Sequence, residues 1–108
     1  MADRRPAETA ELRRLRKRID ALDRRIVGLL NNRLELGRVV GRAKLDAGRR
    51  AIADPERERE VLLRVSMANE GPLPQADLLA IYRRVIAATR RIEAHDRRRE
   101  RHAEATDD

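Results

Sequence analysis

The chain has 108 residues, and its 26 lysines and arginines exceed its 19 aspartates and glutamates to give a formal net charge of +7. A chain of this length forms one domain at most. It contains no cysteine, one aromatic residue (Tyr82) and no long apolar run. This composition argues against β-structure, excludes disulfides and thiolate metal sites, and predicts a cytoplasmic protein with no membrane contact.

The first predicted element is a long helix from about residue 8 to about residue 47. Its apolar side chains recur every three or four residues, the pattern of a helix that packs against another helix. They are Leu12, Leu15, Ile19, Leu22, Ile26, Leu29, Leu36 and Val40. This face also carries Arg33, and Lys44 follows on nearly the same side, three turns later. A lone arginine there usually reaches solvent or pairs with a carboxylate, but two inward cations predict a pocket for an anion.

The second predicted helix starts at Asp54 and Pro55, because aspartate is a favoured N-cap and proline suits the first helical position. It extends to about residue 68. Arg57 and Glu58 lie on its first turn, at the edges of its apolar face, so both can point into one interior space. A break rich in proline and glycine follows at residues 69 to 74.

The third predicted helix begins near Pro74 and carries Leu78, Ile81, Tyr82, Val85, Thr89 and Ile92 on its buried stripe. Glu93 borders that stripe. Its simplest interpretation is a solvated glutamate at the edge of the helix, and the alternative is a functional carboxylate beside the interior.

These lengths predict an all-α fold of three helices whose first helix needs a second copy of the chain. A helix of about 40 residues spans about 60 Å, more than the two shorter helices can cover. We therefore predict an intertwined homodimer, in which Arg16 is a candidate to reach the partner's pocket. The predicted organisation is a disordered lead at 1–7, a helical domain at 8–96 and a charged tail at 97–108.

Four segments together resemble the all-helical (type II) class of chorismate mutase. They are LRRLRKRIDALDRRIVGLLNNR at 12–33, VVGRAK at 39–44, DPERE at 54–58 and IYRRVIAATRRIE at 81–93. The resemblance implies an interlocked dimer of three-helix chains with two active sites. It also implies the Claisen rearrangement of chorismate to prephenate, a step towards phenylalanine and tyrosine, without metal or cofactor.

The resemblance assigns roles around the two carboxylates of the substrate and its ether oxygen. Arg16 of the partner chain and Arg33 would bind the carboxylates, and Lys44 would donate to the ether oxygen. Thr89 would donate to a carboxylate, and Val40 would form an apolar wall.

The remaining assignments concern acidic residues. Asp54 and Glu58 would hold the ring hydroxyl, with Arg57 orienting the two acids. Glu93 stands where several family members have glutamine, the second donor to the ether oxygen. An ionised glutamate cannot donate, so Glu93 has to be protonated in the active complex, and activity should fall as the pH rises.

Two other functions stay open at this point. One is a related enzyme acting on a similar acid, either an aminodeoxychorismate mutase or an isochorismate pyruvate lyase. The other is a basic helical dimer that binds nucleic acid or serves as a scaffold. The interleaving of arginines with acids along most of the chain argues against nucleic-acid binding, since it is typical of solvated helix faces.

Overall fold

A computed structural model describes residues 6–106 of the chain, so residues 1–5 of the predicted lead and 107–108 of the predicted tail lie outside it. The described residues form three α-helices and no strand. They are α1 (Ala10–Asp46), α2 (Pro55–Ala68) and α3 (Gln75–Thr106). The predicted all-helical fold with three helices is therefore confirmed. None of the described helices is long and apolar enough to cross a membrane.

The ends of α1 are fixed by local hydrogen bonds. At its start the hydroxyl of Thr9 accepts from the backbone N–H of Leu12 at 3.0 Å. At its end Gly48 has a φ of 81°, a left-handed conformation that glycine adopts without a steric penalty. The N–H of Arg49 then donates to the carbonyl of Lys44 at 2.7 Å. Gly48 thus ends the helix and turns the chain towards α2.

The start of α2 agrees with its sequence signature. The carboxylate of Asp54 accepts from the backbone N–H of Arg57 at 3.2 Å, and Pro55 occupies the first helical position. Asn69 follows the end of the helix and donates to the carbonyl of Leu73 at 2.9 Å and to the side chain of Gln75 at 2.7 Å. These bonds close the loop between α2 and α3.

The third helix continues past the predicted domain boundary at residue 96 and ends at Thr106. Ion pairs between α1 and this part of α3 explain the extension. Asp96 accepts two hydrogen bonds from Arg38, at 3.1 and 3.2 Å. Arg42 Nη2 lies 3.2 Å from Glu100 Oε1. The hydrogen bonds to Asp96 and then to Glu35 raise the pKa of Arg38 above its ordinary value.

By their contacts the described residues divide into two compact units, 6–32 and 33–106. In the unit 6–32 the large apolar side chains are exposed. They are Leu12, Leu15, Ile19, Leu22, Ile26, Val27, Leu29 and Leu30. One helix has nothing of its own chain within that unit against which to bury them, so this unit has no core.

The unit 33–106 is held by a close approach of α1 to α3. A Cβ built on Gly37 would lie 2.6 Å from Cγ2 of Thr89, and one on Gly41 would lie 3.1 Å from Cγ of Glu93. Only glycine allows this separation without displacing a side chain. These two glycines therefore stand where α1 meets α3. Ile86 and Glu93 are buried beside the contact.

Candidate active site

A cavity of about 650 Å³ lies within the unit 33–106, bordered by α1, the loop that precedes α2, α2 itself and α3. All but one of the site residues named from the sequence line it. They are Arg33, Val40, Lys44, Asp54, Arg57, Glu58, Thr89 and Glu93. The structure thus gathers side chains from three helices around one space large enough for a small organic acid.

The least exposed ion pair of the cavity joins Lys44 to Glu93, and we call it the inner pair. Lys44 Nζ lies 3.6 Å from Glu93 Oε2, and the two side chains are 14% and 7% exposed. Oε2 has no hydrogen-bond partner among residues 6–106. Both groups can therefore still bond to a ligand atom placed between them, in a site that holds little water.

Arg33 supplies a second positive group. Its guanidinium carbon lies 5.6 Å from the ring centroid of Tyr82, an arrangement in which the ring face attracts the cation. No carboxylate of the described residues lies within 4.0 Å of it. Unlike the other cations of the cavity, Arg33 has no acidic partner among residues 6–106, so it can bind the anionic group of a ligand.

Two more ion pairs lie at the more exposed side of the cavity, and we call them the outer pairs. Arg49 Nη2 lies 3.6 Å from Asp54 Oδ2, and Arg90 Nη1 lies 3.6 Å from Glu58 Oε1. Neither arginine was identified from the sequence. The position of Arg90 one turn before Glu93 on the same helix was an available signal, whereas the loop residue Arg49 offered none.

The side chain of Arg57 does not take the orientation expected from the sequence. Arg57 Nη1 lies 3.1 Å from Glu60 Oε1, so the guanidinium pairs with Glu60. Asp54 accepts a hydrogen bond from the backbone N–H of Arg57. The cations next to Asp54 and Glu58 are instead those of the outer pairs. Arg57 therefore orients Asp54 through the backbone, and this structure gives its side chain no contact with either acid.

Thr89 and Val40 complete the wall of the cavity. The hydroxyl of Thr89 donates to the carbonyl of Val85 at 3.0 Å, so it has to rotate before it can donate to a ligand. Its methyl group faces Gly37. Val40 lies on the same side of α1 and is exposed, which leaves its side chain free to contact an apolar part of a ligand.

Comparison with known proteins identifies the family of the chain. Residues 15–94 match the chorismate mutase type II family. The chain belongs to this family. It is 42% identical over 82 residues to the bifunctional chorismate mutase/prephenate dehydratase of Aquifex aeolicus (strain VF5). It is 38% identical over 72 residues to the bifunctional chorismate mutase/prephenate dehydratase of Neisseria gonorrhoeae (strain ATCC 700825 / FA 1090).

The extent of these matches differs between the two chains in each comparison. They cover 72% and 67% of this chain but 22% and 19% of the relatives, so the chain spans about a fifth of their length. A solved chorismate mutase (form II) from Thermus thermophilus is similar in fold, with a TM-score of 0.72 and 30% sequence identity. That match covers 78% of this chain and 94% of the solved one.

Arg16, the remaining site residue named from the sequence, lies in the unit 6–32. Within that unit its guanidinium lies 3.0 Å from the carboxylate of Glu8, and its side chain is exposed. The resemblance to type II chorismate mutases assigned it to the site of a partner chain. A role of Arg16 in the site therefore requires a second copy of the chain.

Proposed function

We propose that the chain catalyses the rearrangement of chorismate to prephenate. One observation supports this most strongly: Arg33 and Lys44 line one cavity, and Arg33 has no carboxylate of the described residues within 4.0 Å. Chorismate carries two carboxylates, and a planar guanidinium can bind one of them through two parallel hydrogen bonds. The membership of the chain in the chorismate mutase type II family supports the same conclusion.

The proposed mechanism is electrostatic. As the bond between the ether oxygen and the ring breaks, negative charge builds up on that oxygen. Lys44 donates to it from a site where its side chain is 14% exposed, and a fixed donor in such a site stabilises the transition state more than the ground state. Arg33 holds a carboxylate and keeps the enolpyruvyl arm over the ring, which lowers the entropic part of the barrier.

Glu93 is the second donor to the ether oxygen in this mechanism. Its Oε2 atom lies 3.6 Å from Lys44 Nζ, so both side chains can reach the same substrate atom. Only the protonated acid can donate, because an ionised carboxylate accepts hydrogen bonds and would repel the charge that develops. The proposal therefore requires that Glu93, which pairs with Lys44 in this structure, takes up a proton when the substrate binds.

The outer acids have a binding role in the proposal. Glu58 accepts a hydrogen bond from the ring hydroxyl, and Asp54 lies close by at the start of α2. Val40 packs against the ring and Thr89 donates to a carboxylate. These contacts orient the substrate without changing during the reaction.

We also propose that the protein acts as an intertwined homodimer with shared active sites. The exposed apolar side chains of residues 12–30 support this, because a second chain can bury them. In the dimer, Arg16 of one chain binds the second carboxylate in the site of its partner. The site would then hold the guanidinium pair that the substrate requires.

Mixing two inactive variants tests the shared site. Arg16→Ala and Arg33→Ala are each expected to lose activity, and their mixture after subunit exchange should regain about a quarter of the wild-type rate. The gain arises because each mixed dimer has one intact site. If the mixture stays as inactive as its components, the two arginines do not act across an interface.

The reaction itself is tested by following the loss of chorismate absorbance. Arg33→Ala should lower kcat/KM by about 10³-fold, whereas Arg83→Ala, which changes an exposed arginine outside the cavity, should leave it unchanged. Parallel incubation with isochorismate, with product identification, separates the mutase from a pyruvate lyase. A wild-type protein that leaves chorismate unchanged but binds DNA with a steep salt dependence would contradict the proposal.

A further inference from the structure

Arg90 lines the cavity, yet the family resemblance gives it no role. We propose that Arg90, by pairing with Glu58, selects substrates that carry a neutral hydroxyl on the ring over substrates that carry a charged amine. The inference rests on the proposed function, since it takes Glu58 as the acceptor for the ring hydroxyl. It concerns how the same site distinguishes chorismate from its amino analogue.

The geometry makes Arg90 the cation next to Glu58. Its Nη1 atom lies 3.6 Å from Glu58 Oε1, and the side chains are 43% and 25% exposed. The neighbouring arginines are engaged elsewhere, because Arg57 pairs with Glu60 and Arg49 pairs with Asp54. Among the described residues, Arg90 is thus the only cation within 4.0 Å of the Glu58 carboxylate.

This pairing decides what Glu58 can accept. A carboxylate without a cation next to it attracts an ammonium group more strongly than a hydroxyl. Next to Arg90 the negative charge of Glu58 is already balanced. The lone pairs of the Glu58 carboxylate can still accept a hydrogen bond from a neutral O–H. When it is paired with Arg90, Glu58 therefore keeps its affinity for the ring hydroxyl and loses its extra attraction for a ring ammonium group.

An amine at the same ring position meets a second effect. An alkyl amine carries a proton at neutral pH, so a ring amine bound to Glu58 would place a positive charge a few ångströms from the Arg90 guanidinium. Like charges at that separation repel even in a partly hydrated site. Specificity then comes from a repulsive element as well as from an attractive contact.

The side chain of Arg90 can be replaced with little risk to folding, because it is partly exposed. Arg90→Leu keeps its apolar stem and removes the charge, and Arg90→Lys keeps the charge. Arg91→Leu is the matched control, since Arg91 is the next residue on α3, is exposed and does not line the cavity.

The experiment compares chorismate with 4-amino-4-deoxychorismate and uses the whole 108-residue chain. For each variant, kcat and KM are measured with chorismate, and the amino compound is measured both as a substrate and as an inhibitor of the chorismate reaction. The inhibition constant gives an affinity even where the amino compound is not converted. The readout is the ratio of the two affinities, which a general loss of folded protein would leave unchanged.

Wild type should prefer chorismate, and Arg90→Leu should shift the ratio about tenfold towards the amino compound. Arg90→Lys should restore most of the preference, and Arg91→Leu should retain it. Any change for chorismate itself should be small and should appear in KM, because the hydroxyl contact is the same in the ground state and the transition state.

The inference is overturned if Arg90→Leu leaves the ratio unchanged, if Arg91→Leu shifts it equally, or if wild type prefers the amino compound. In the first two cases wild type still converts chorismate, so only the role of Arg90 is lost. A wild-type protein that does not convert chorismate at all would instead refute the proposed function, and the role of Arg90 with it.

Discussion

The inner pair and the outer pairs have the same separation but different surroundings. The nitrogen and oxygen atoms lie 3.6 Å apart in both Lys44–Glu93 and Arg90–Glu58. The side chains of Lys44 and Glu93 are 14% and 7% exposed, whereas those of Arg90 and Glu58 are 43% and 25% exposed. Charges interact more strongly where water is excluded. Distance alone therefore does not assign a role. In the mechanism proposed above, the less exposed inner pair acts on the reacting oxygen and the more exposed outer pairs act in recognition.

The largest expected effect separates the two kinds of pair directly. Lys44→Met should lower kcat/KM for chorismate by about 10³-fold, because it removes a donor to the developing charge in a nearly dry site. Arg49→Met removes the cation of an outer pair and should cost about tenfold or less. Initial rates at equal enzyme concentration measure both. Equal losses would remove the distinction between the pairs.

The next effect concerns protonation of the inner pair. Because the proposed mechanism needs Glu93 as a hydrogen-bond donor, the rate should fall as Glu93 loses its proton, and it is measured from about pH 5 to about pH 8. Glu93→Gln carries a permanent donor and should give a nearly flat profile over the same range. Profiles of kcat/KM for both proteins are the measurement. A flat wild-type profile would show that Glu93 does not donate a hydrogen bond to the ether oxygen.

The smallest expected effect tests the helix contact that shields the inner pair. Gly37→Ala should lower the free energy of unfolding by about 1–3 kcal/mol, because its Cβ would lie 2.6 Å from Cγ2 of Thr89. Gly28→Ala is the control, since nothing of the described chain lies within 4 Å of a Cβ there.

The free energy of unfolding of Gly28→Ala should instead rise by about 0.5–1 kcal/mol, because alanine has a higher helix propensity than glycine. Urea denaturation at one protein concentration measures both variants. A loss in Gly28→Ala that matches the loss in Gly37→Ala would mean that another chain contacts α1 at residue 28.

Several local features were predictable from the sequence because they depend on neighbouring residues. The Asp54–Pro55 start of α2 and the left-handed Gly48 at the end of α1 are of this kind. The full length of α3 was not predictable from its arginine-rich end. The pairs Arg38–Asp96 and Arg42–Glu100 join residues far apart in the chain, and they accompany the helix beyond residue 96.

The sequence by itself determined the three helices and the side of α1 that carries Arg33 and Lys44, because helical periodicity fixes which residues share a face. It also named most of the residues that line the cavity. Only the tertiary structure decided which acid each cation meets. Arg57 turns to Glu60, and Arg90 takes the place next to Glu58. Long charged side chains can reach several partners, so the packing of α1, α2 and α3 makes the choice.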